Sequence, residues 1–143
     1  MQPIKWFLFG GVFLLFVCPV IGQQKTKAPA YVVGSFQDDY GIKFTISDSL
    51  WFQKEAVKYH ILEWNQQEQW VLAKNDPLNP SEPGKFTRID YRQFEKMEPF
   101  LWGYCYTIYD ADTKEKALKA ISADRANPKK GCNGFPFSRM KPL

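Results

Sequence analysis

The sequence predicts a mainly β protein: an antiparallel meander that curls into a small barrel or half-barrel, with one C-terminal α-helix packed on its outside. From residue 31 onward, short runs of β-branched and aromatic residues alternate with turn residues, which is typical of short antiparallel strands. Aromatic residues make up 17% of the chain, and bulky rings on both faces of a sheet favour curling. A single helical pattern follows the last clear strand.

Residues 1–22 are predicted to be a secretory signal peptide. One charge, Lys5, precedes an uncharged stretch that glycine and proline interrupt, and the stretch is too short for a membrane span of about 20 residues. The expected cleavage lies between Gly22 and Gln23, after small side chains. Two alternatives stay open: an uncleaved anchor, and a lipoprotein signal cut before Cys18. We therefore expect a secreted or periplasmic protein without a stable membrane span after signal removal.

The remaining chain is predicted to be one domain. Residues 23–30 are polar and contain proline, so we expect a disordered lead-in, followed by a single β-rich domain over residues 31–143. The formal net charge is +4, and removal of Lys5 would leave 4 − 1 = +3. This slight, dispersed excess gives no basis for a nucleic-acid partner.

Two cysteines would remain after signal cleavage, Cys105 and Cys132. In an exported chain, such a pair most economically forms one disulfide. The loop that it closes has 28 residues counting both ends, for which the chain-entropy model gives about 3.6 kcal/mol of stabilisation as an upper-end value. With one histidine and no CxxC pair, a sulfur-based metal site lacks ligands, so neither a metal nor a cofactor is predicted.

Six or seven short strands are predicted from alternation and turn signals. They cover residues 31–36, 42–47, 50–53, 57–64, 70–74, 85–91 and 99–110. The fourth and fifth form a hairpin around "NQQEQ", and "NDPLNPSEPG" is the longest loop. The last strand is apolar on both faces, so its second face needs cover. Its first face is predicted to hold Phe100, Trp102, Tyr104, Tyr106 and Ile108.

The segment after this strand is predicted to supply the cover. Asp112 with Glu115 three residues later is a capping-box pattern, and "TKEKALKAISADR" predicts a helix of about 12 residues. Its buried stripe would hold Ala117, Leu118, Ala120 and Ile121. Phe135 and Phe137 are expected to extend the cover as core residues.

Four segments, "YGIKFTISDSLWF", "YHILEWN", "PGKFTRIDY" and "ADRANPKKGCNGFPFSRM", together resemble a family of small exported bacterial proteins that end in Cys-Asn-Gly-Phe-Pro-Phe-Ser-Arg-Met. The resemblance covers most of residues 34–140 and implies a single domain, but no activity, cofactor or catalytic residue. A looser likeness links the chain to lipocalin and calycin barrels. Lipocalins open with Gly-x-Trp, whereas this chain has Gly34-Ser35-Phe36, and it is short for eight strands.

The predicted ligand-binding residues include the single histidine, His60. It is predicted to share a strand face with Leu62 and Trp64. A catalytic histidine needs a nucleophile and an orienting carboxylate, and no serine lies in a nucleophile-elbow context. We therefore expect His60 to be hydrogen-bonded within the sheet, and we assign no catalytic residue.

Arg88 and Asp90, also candidate ligand-binding residues, share one strand face, and two placements stay open. Inside the barrel they would form a buried ion pair, costly unless hydrogen-bonded, that anchors a ligand. Facing solvent, they would be an ordinary surface pair. Thr87, Ile89 and Tyr91 would then line the interior, which gives the better apolar face.

Tryptophans suggest the function, because exported binding modules use exposed or cavity-lining aromatic rings. Of Trp51, Trp64, Trp70 and Trp102, we expect two to be accessible. The expected function is a non-enzymatic exported module for an apolar or sugar-like small ligand. Rings such as Trp64 and Trp102 would supply contact area, and the charged candidates a polar anchor. The alternatives are a structural or protein-interaction factor of the cell envelope and, third, a hydrolase-type enzyme.

Overall fold

Eight antiparallel strands form a closed barrel in a computed structural model that describes residues 27–143. The predicted signal peptide, its cleavage point between Gly22 and Gln23, and Cys18 lie outside the described residues. The strands are β1 (Gly34–Gln37), β2 (Lys43–Ile46), β3 (Leu50–Gln53), β4 (Val57–Asn65), β5 (Trp70–Asn75), β6 (Phe86–Gln93), β7 (Trp102–Ala111) and β8 (Ser138–Pro142). A 3-10 turn at Ala30–Val32 precedes β1, and helix α1 (Lys114–Leu118) packs against the barrel between β7 and β8. The predicted fold class is confirmed.

The strand that closes the barrel, β8, is missing from the predicted set. Its sequence, "SRMKP", has no β-branched or aromatic residue and ends on proline, so no local signal marks it. Trp102 of β7 pairs with Met140, and Phe36 of β1 pairs with Pro142. The expectation that the chain is too short for eight strands is therefore wrong, because four-residue strands suffice at the start of the barrel.

Aromatic side chains fill the barrel interior, as in other eight-stranded barrels whose width matches a layer of side chains. The rings of Trp51 and Trp102 lie edge to face with centroids 5.7 Å apart, and Phe36 contacts Trp102 in the same way at 5.2 Å. Trp64 and Trp70 are also buried, the latter on the outside of the barrel. All four tryptophans within the described residues are buried, so the expectation that two of them are accessible is wrong.

Register shifts in β4 and β7 change the predicted strand faces, because an extra residue reverses the in-and-out alternation. The first, near the middle of β4, leaves His60 and Leu62 outside while Trp64 points inside. The second, in β7, leaves Tyr106 packed against the buried residues inside the barrel and Ile108 packed against buried residues outside it. Both shared faces predicted from strict alternation are therefore wrong.

An outer cluster of apolar residues lies between α1 and the barrel wall, which confirms a helix packed outside. It contains Trp70, Leu72, Ala111 and Ala117, with Leu62, Phe86 and Ile108 packed against it. Helix α1 has five residues rather than about twelve. Thr113, not Asp112, caps it by accepting a hydrogen bond from the Lys116 amide. Ala117 is buried as predicted, but Leu118 and Ile121 are exposed.

The early end of the helix has a physical reason. The guanidinium of Arg88 donates hydrogen bonds to the carbonyl oxygens of Leu118 and Ala120, at 3.1 and 3.3 Å. A cation at a helix C-terminus satisfies carbonyls that have no partner inside the helix. The chain then continues without a helix or strand and contacts the barrel wall through the Ala123 amide, which donates to Asp90.

The predicted Cys105–Cys132 disulfide is present, with the two Cα atoms 5.5 Å apart. Beyond it, Asn133 and Gly134 both have positive φ, the signature of a two-residue hairpin turn, and Cys132 pairs with Phe135. Phe137 is buried as expected. Phe135 is 71% exposed, so its predicted role as cover is wrong.

Part of the predicted disordered lead-in lies against the barrel. The amide of Ala28 donates to the Asp48 carboxylate at 2.9 Å, and Gln66 donates to the carbonyl of Lys27 at 2.7 Å. Ala28 also packs against the interior cluster. The ordered region therefore includes residues 27–30.

Candidate functional site

The five predicted ligand-binding residues lie in three separate environments. Trp64 and Trp102 are buried inside the barrel. His60 is on the outer surface of β4, and Arg88 and Asp90 are buried on the outside of β6. The fold therefore does not bring these five side chains together into one site.

His60 pairs with Asp76, which belongs to the loop after β5 rather than to a strand. Its Nε2 lies 2.6 Å from Asp76 Oδ2, and the imidazole side chain is 52% exposed. This hydrogen bond lowers the pKa of Asp76, as does the Leu78 amide that donates to the same carboxylate. Within residues 27–143, no hydroxyl or thiol is hydrogen-bonded to the imidazole. The pair thus holds a base and a carboxylate without a nucleophile.

Arg88 and Asp90 match neither of the two placements left open by the sequence. Thr87, Ile89 and Tyr91 do form the buried inner face, as the second placement requires. However, Arg88 is 4% exposed and Asp90 is 0% exposed, so they are not a surface pair. The segment that follows α1 covers them, which alternation along a strand cannot reveal.

The buried carboxylate of Asp90 organises a network that we call the C-terminal latch, formed by Arg88, Asp90, Ser122, Ala123 and Arg125. Asp90 accepts hydrogen bonds from Arg88 Nε at 2.9 Å and from the Ala123 amide at 2.6 Å, and Arg125 lies 3.2 Å away. Arg88 also donates to Ser122 Oγ at 2.7 Å. Both oxygens of Asp90 are engaged within the protein, so we interpret the latch as structural rather than ligand-binding.

A concave surface, which we call the outer groove, lies beside β8 where three parts of the chain meet. The parts are the β1–β2 turn, the β6–β7 connection and the segment before β8. Its volume is about 520 Å³, within the range of small-molecule sites, roughly 300–1,000 Å³. The apolar lining consists of Tyr40, Phe94, Met97, Pro128, Pro136 and Phe137. The charged lining consists of Asp39, Lys129 and Arg139.

Arg139 is held in a fixed orientation at the edge of the groove. Asp39 accepts hydrogen bonds from the Arg139 amide at 2.8 Å and from its Nε at 3.0 Å. The guanidinium carbon also lies 4.2 Å from the centre of the Phe100 ring, a cation–π contact. A guanidinium fixed in this way presents its remaining donors in one direction.

The apolar floor of the groove depends on close packing against β7. A side chain on Gly103 would place its Cβ 2.7 Å from the Phe94 ring, so only glycine leaves room for this ring. Above the floor, Tyr40 is 77% exposed. The groove thus combines a buried ring with an accessible one.

The remaining wall belongs to the segment between Arg125 and β8. It is formed by Pro128, Lys129, Pro136 and Phe137. The Phe137 amide donates to the Pro128 carbonyl at 2.8 Å, which ties the two ends of the wall together. The latch and the disulfide fasten the same segment to the barrel. The groove is therefore preformed by covalent and buried polar links.

Sequence reasoning missed every residue of this groove as a site residue. The "FPFSR" part of the C-terminal motif contributes Pro136, Phe137 and Arg139, but its phenylalanines are expected there only as core. Tyr40 and Lys129 lie far apart in the chain, and no spacing rule connects them. The one available signal was the unusual aromatic and proline content of the tail.

Across residues 27–143, no group of three or more His, Cys, Asp or Glu side chains is arranged to hold a metal ion. In the same range, no helix is long and apolar enough to cross a membrane.

Comparison of the chain with protein-family models, curated proteins and solved structures gives no match. The resemblance to a family of small exported proteins therefore stays a prediction, and the likeness to lipocalins gains no support.

Proposed function

We propose that the protein is an exported, non-enzymatic binding module, and that its site is the outer groove. The ligand is a small molecule with an apolar or ring-bearing body, which includes sugar rings. The observation that carries the proposal is an exposed ring, Tyr40, beside a preformed apolar groove of about 520 Å³. Small-molecule sites are typically concave and mainly apolar, with few polar groups that fix orientation. The disulfide supports export, because disulfides persist in oxidising compartments.

The outside of the barrel fits a ligand better than its interior does. Trp51 and Trp102 contact each other edge to face and have no exposed surface, so an interior ligand would have to displace packed rings. Removing a large core side chain from its packing costs on the order of 3–5 kcal/mol. An outer ligand avoids this cost, since Tyr40 is already accessible.

The charged groups of the outer groove favour binding over hydrolysis. Its carboxylate, Asp39, is engaged by Arg139, and its other charged residue is a cation, Lys129. Hydrolysis needs a positioned acid and base, or a nucleophile with an adjacent base. The His60–Asp76 pair does not belong to this lining.

The experiment measures binding of N-phenyl-1-naphthylamine, an uncharged fluorescent probe with two ring systems, to the exported protein. Tyr40→Ala should weaken binding about tenfold, because truncating an aromatic ring at the centre of a contact costs more than about 1 kcal/mol. Tyr109→Ala is the matched control, since Tyr109 is also exposed but does not line the groove. Equal affinity of both variants contradicts the proposed site.

One observation favours a second candidate, a protein-interaction factor. Phe135 is 71% exposed on a hairpin that the disulfide and the Asn133-Gly134 turn hold in place. Rigid, exposed aromatic side chains are common anchors in protein interfaces. A photo-crosslinking residue at position 135 should then capture an envelope protein in exporting cells, whereas one at position 109 should not.

A further inference from the structure

We infer that the outer groove selects small organic anions, that is, molecules with an apolar or ring-bearing body and one carboxylate or similar anionic group. The inference rests on the proposed binding function and adds the charge of the ligand.

The lining carries a net positive charge. It contains two cations, Lys129 and Arg139, and one carboxylate, Asp39, which gives 2 − 1 = +1. The carboxylate is already occupied: Asp39 accepts from the Arg139 amide and Nε, and its Oδ1 lies 2.8 Å from Arg139 Nη2. An anion entering the groove therefore meets cationic groups whose charge is only partly compensated.

Two donors are available for such an anion. Lys129 is exposed, and within residues 27–143 no carboxylate lies within 4.0 Å of its ammonium group. Arg139 uses Nε and Nη2 for Asp39, and its Nη1 has no hydrogen-bond partner in the described part of the chain. The contact with the Phe100 ring and the two links to Asp39 restrain the guanidinium, so the position of Nη1 is restrained as well.

The apolar part of the lining determines the rest of the ligand. The rings of Phe94 and Phe137 are buried in the floor, and Met97 contributes a flexible thioether that adapts to the shape of a ligand. A purely polar anion would leave this floor uncovered, and a purely apolar ligand would leave Lys129 and Arg139 without an acceptor. An amphiphilic anion satisfies both.

The test compares two probes that share their ring systems and differ in charge: 8-anilinonaphthalene-1-sulfonate, an anion, and neutral N-phenyl-1-naphthylamine. Lys129→Gln should weaken binding of the anionic probe about two- to fivefold, the range of a partly exposed ion pair, and leave the neutral probe unchanged. Lys130→Gln is the matched control, because Lys130 is the exposed neighbour and does not line the groove. Added salt should weaken only the anionic probe.

A second variant is expected to act in the opposite direction. Asp39→Asn removes the carboxylate that competes for Arg139, while its amide oxygen can still accept from the Arg139 backbone. The anionic probe should then bind more tightly, again by about two- to fivefold, with no gain for the neutral probe. Circular dichroism of each variant checks that the barrel is intact.

The outcomes distinguish a failure of anion selection from a failure of the proposed binding function. If Tyr40→Ala weakens binding of both probes, but Lys129→Gln and Lys130→Gln have the same affinity for the anionic probe, anion selection is wrong and the proposed binding function stands. Tighter binding of the neutral probe than of the anionic probe likewise overturns anion selection. If neither probe binds, the proposed function fails and the inference with it.

Discussion

Replacement of Asp90 by asparagine should destabilise the protein strongly, and much more than the same change at a partly exposed ion pair. The carboxylate has no exposed surface and accepts from Arg88, from the Ala123 amide and from Arg125. An asparagine keeps one oxygen acceptor and turns a donor toward one of these groups, so the buried Arg88 and the half-buried Arg125 lose their counter-charge. Breaking a buried ion pair by removing one partner costs about 3–5 kcal/mol, a large part of the roughly 5–15 kcal/mol that stabilises a domain.

Urea denaturation measures this cost. With a slope of about 1–3 kcal/mol per molar, a loss of 3–5 kcal/mol lowers the unfolding midpoint by about 2 M. Asp39→Asn is the control, because the same chemical change at the partly exposed Arg139 pair should cost only about 0.2–1 kcal/mol. Equal midpoints for the two variants would refute the assignment of the latch as a buried, stability-determining network.

A double variant separates the cost of an unpaired charge from the net value of the pair. Arg88→Met with Asp90→Leu removes both buried charges and keeps apolar volume against Trp70, whose ring centre lies 5.4 Å from the guanidinium carbon. Such replacements are often neutral or stabilising. The double variant should therefore be more stable than Asp90→Asn alone. If it is less stable, the hydrogen bonds to the segment after α1 outweigh the burial of charge.

Two further predictions concern Asp112, which lies just before α1, and Gly131, which lies between α1 and β8. Hydrogen bonds from Lys85 and Lys116 lower the pKa of Asp112 to about 2, so the stabilisation that they give should be complete above pH 3.8 and lost as the pH falls toward 2. A carboxyl NMR titration should give this pKa and show it rising in Lys85→Ala, and an unchanged pKa contradicts the contact. Gly131→Ala would place a Cβ less than 3.0 Å from two backbone carbonyl oxygens, and the backbone shift should cost about 3 kcal/mol in urea unfolding, the upper end of the usual cost of overpacking. The control, Gly84→Ala, meets no atom within 4 Å but has φ +72°, and it should cost about 1–2 kcal/mol from backbone strain alone.

The parts of the fold that could be predicted are those with a local signal. Seven of the eight strands have a residue pattern and flanking turn residues that predict a strand. The disulfide follows from counting, because Cys105 and Cys132 are the two cysteines beyond the predicted signal peptide. Neither inference needs knowledge of distant contacts.

The errors have a common physical origin in contacts between distant segments. The bulge in β4 places His60 and Trp64 on opposite faces of the strand, and no glycine or proline in the strand marks its position. The end of α1 is set by Arg88, about thirty residues earlier in the chain, so a pattern that continues to Ile121 overestimates the helix. Strand β8 pairs because β1 and β7 need partners for their edges, not because of its own residues.

The candidate site was unpredictable for the same reason, and its position follows from how the barrel is filled. Large rings such as Trp51 and Trp102 occupy the interior, so the proposed ligand site lies on the outside of the barrel. The segment between α1 and β8 first completes the fold, through the latch and the disulfide, and then lines the outer groove beside Tyr40. Since buried polar links and a covalent bond hold this wall, little conformational entropy remains to be lost when a ligand binds. A small barrel with a closed core can thus still offer a preorganised site.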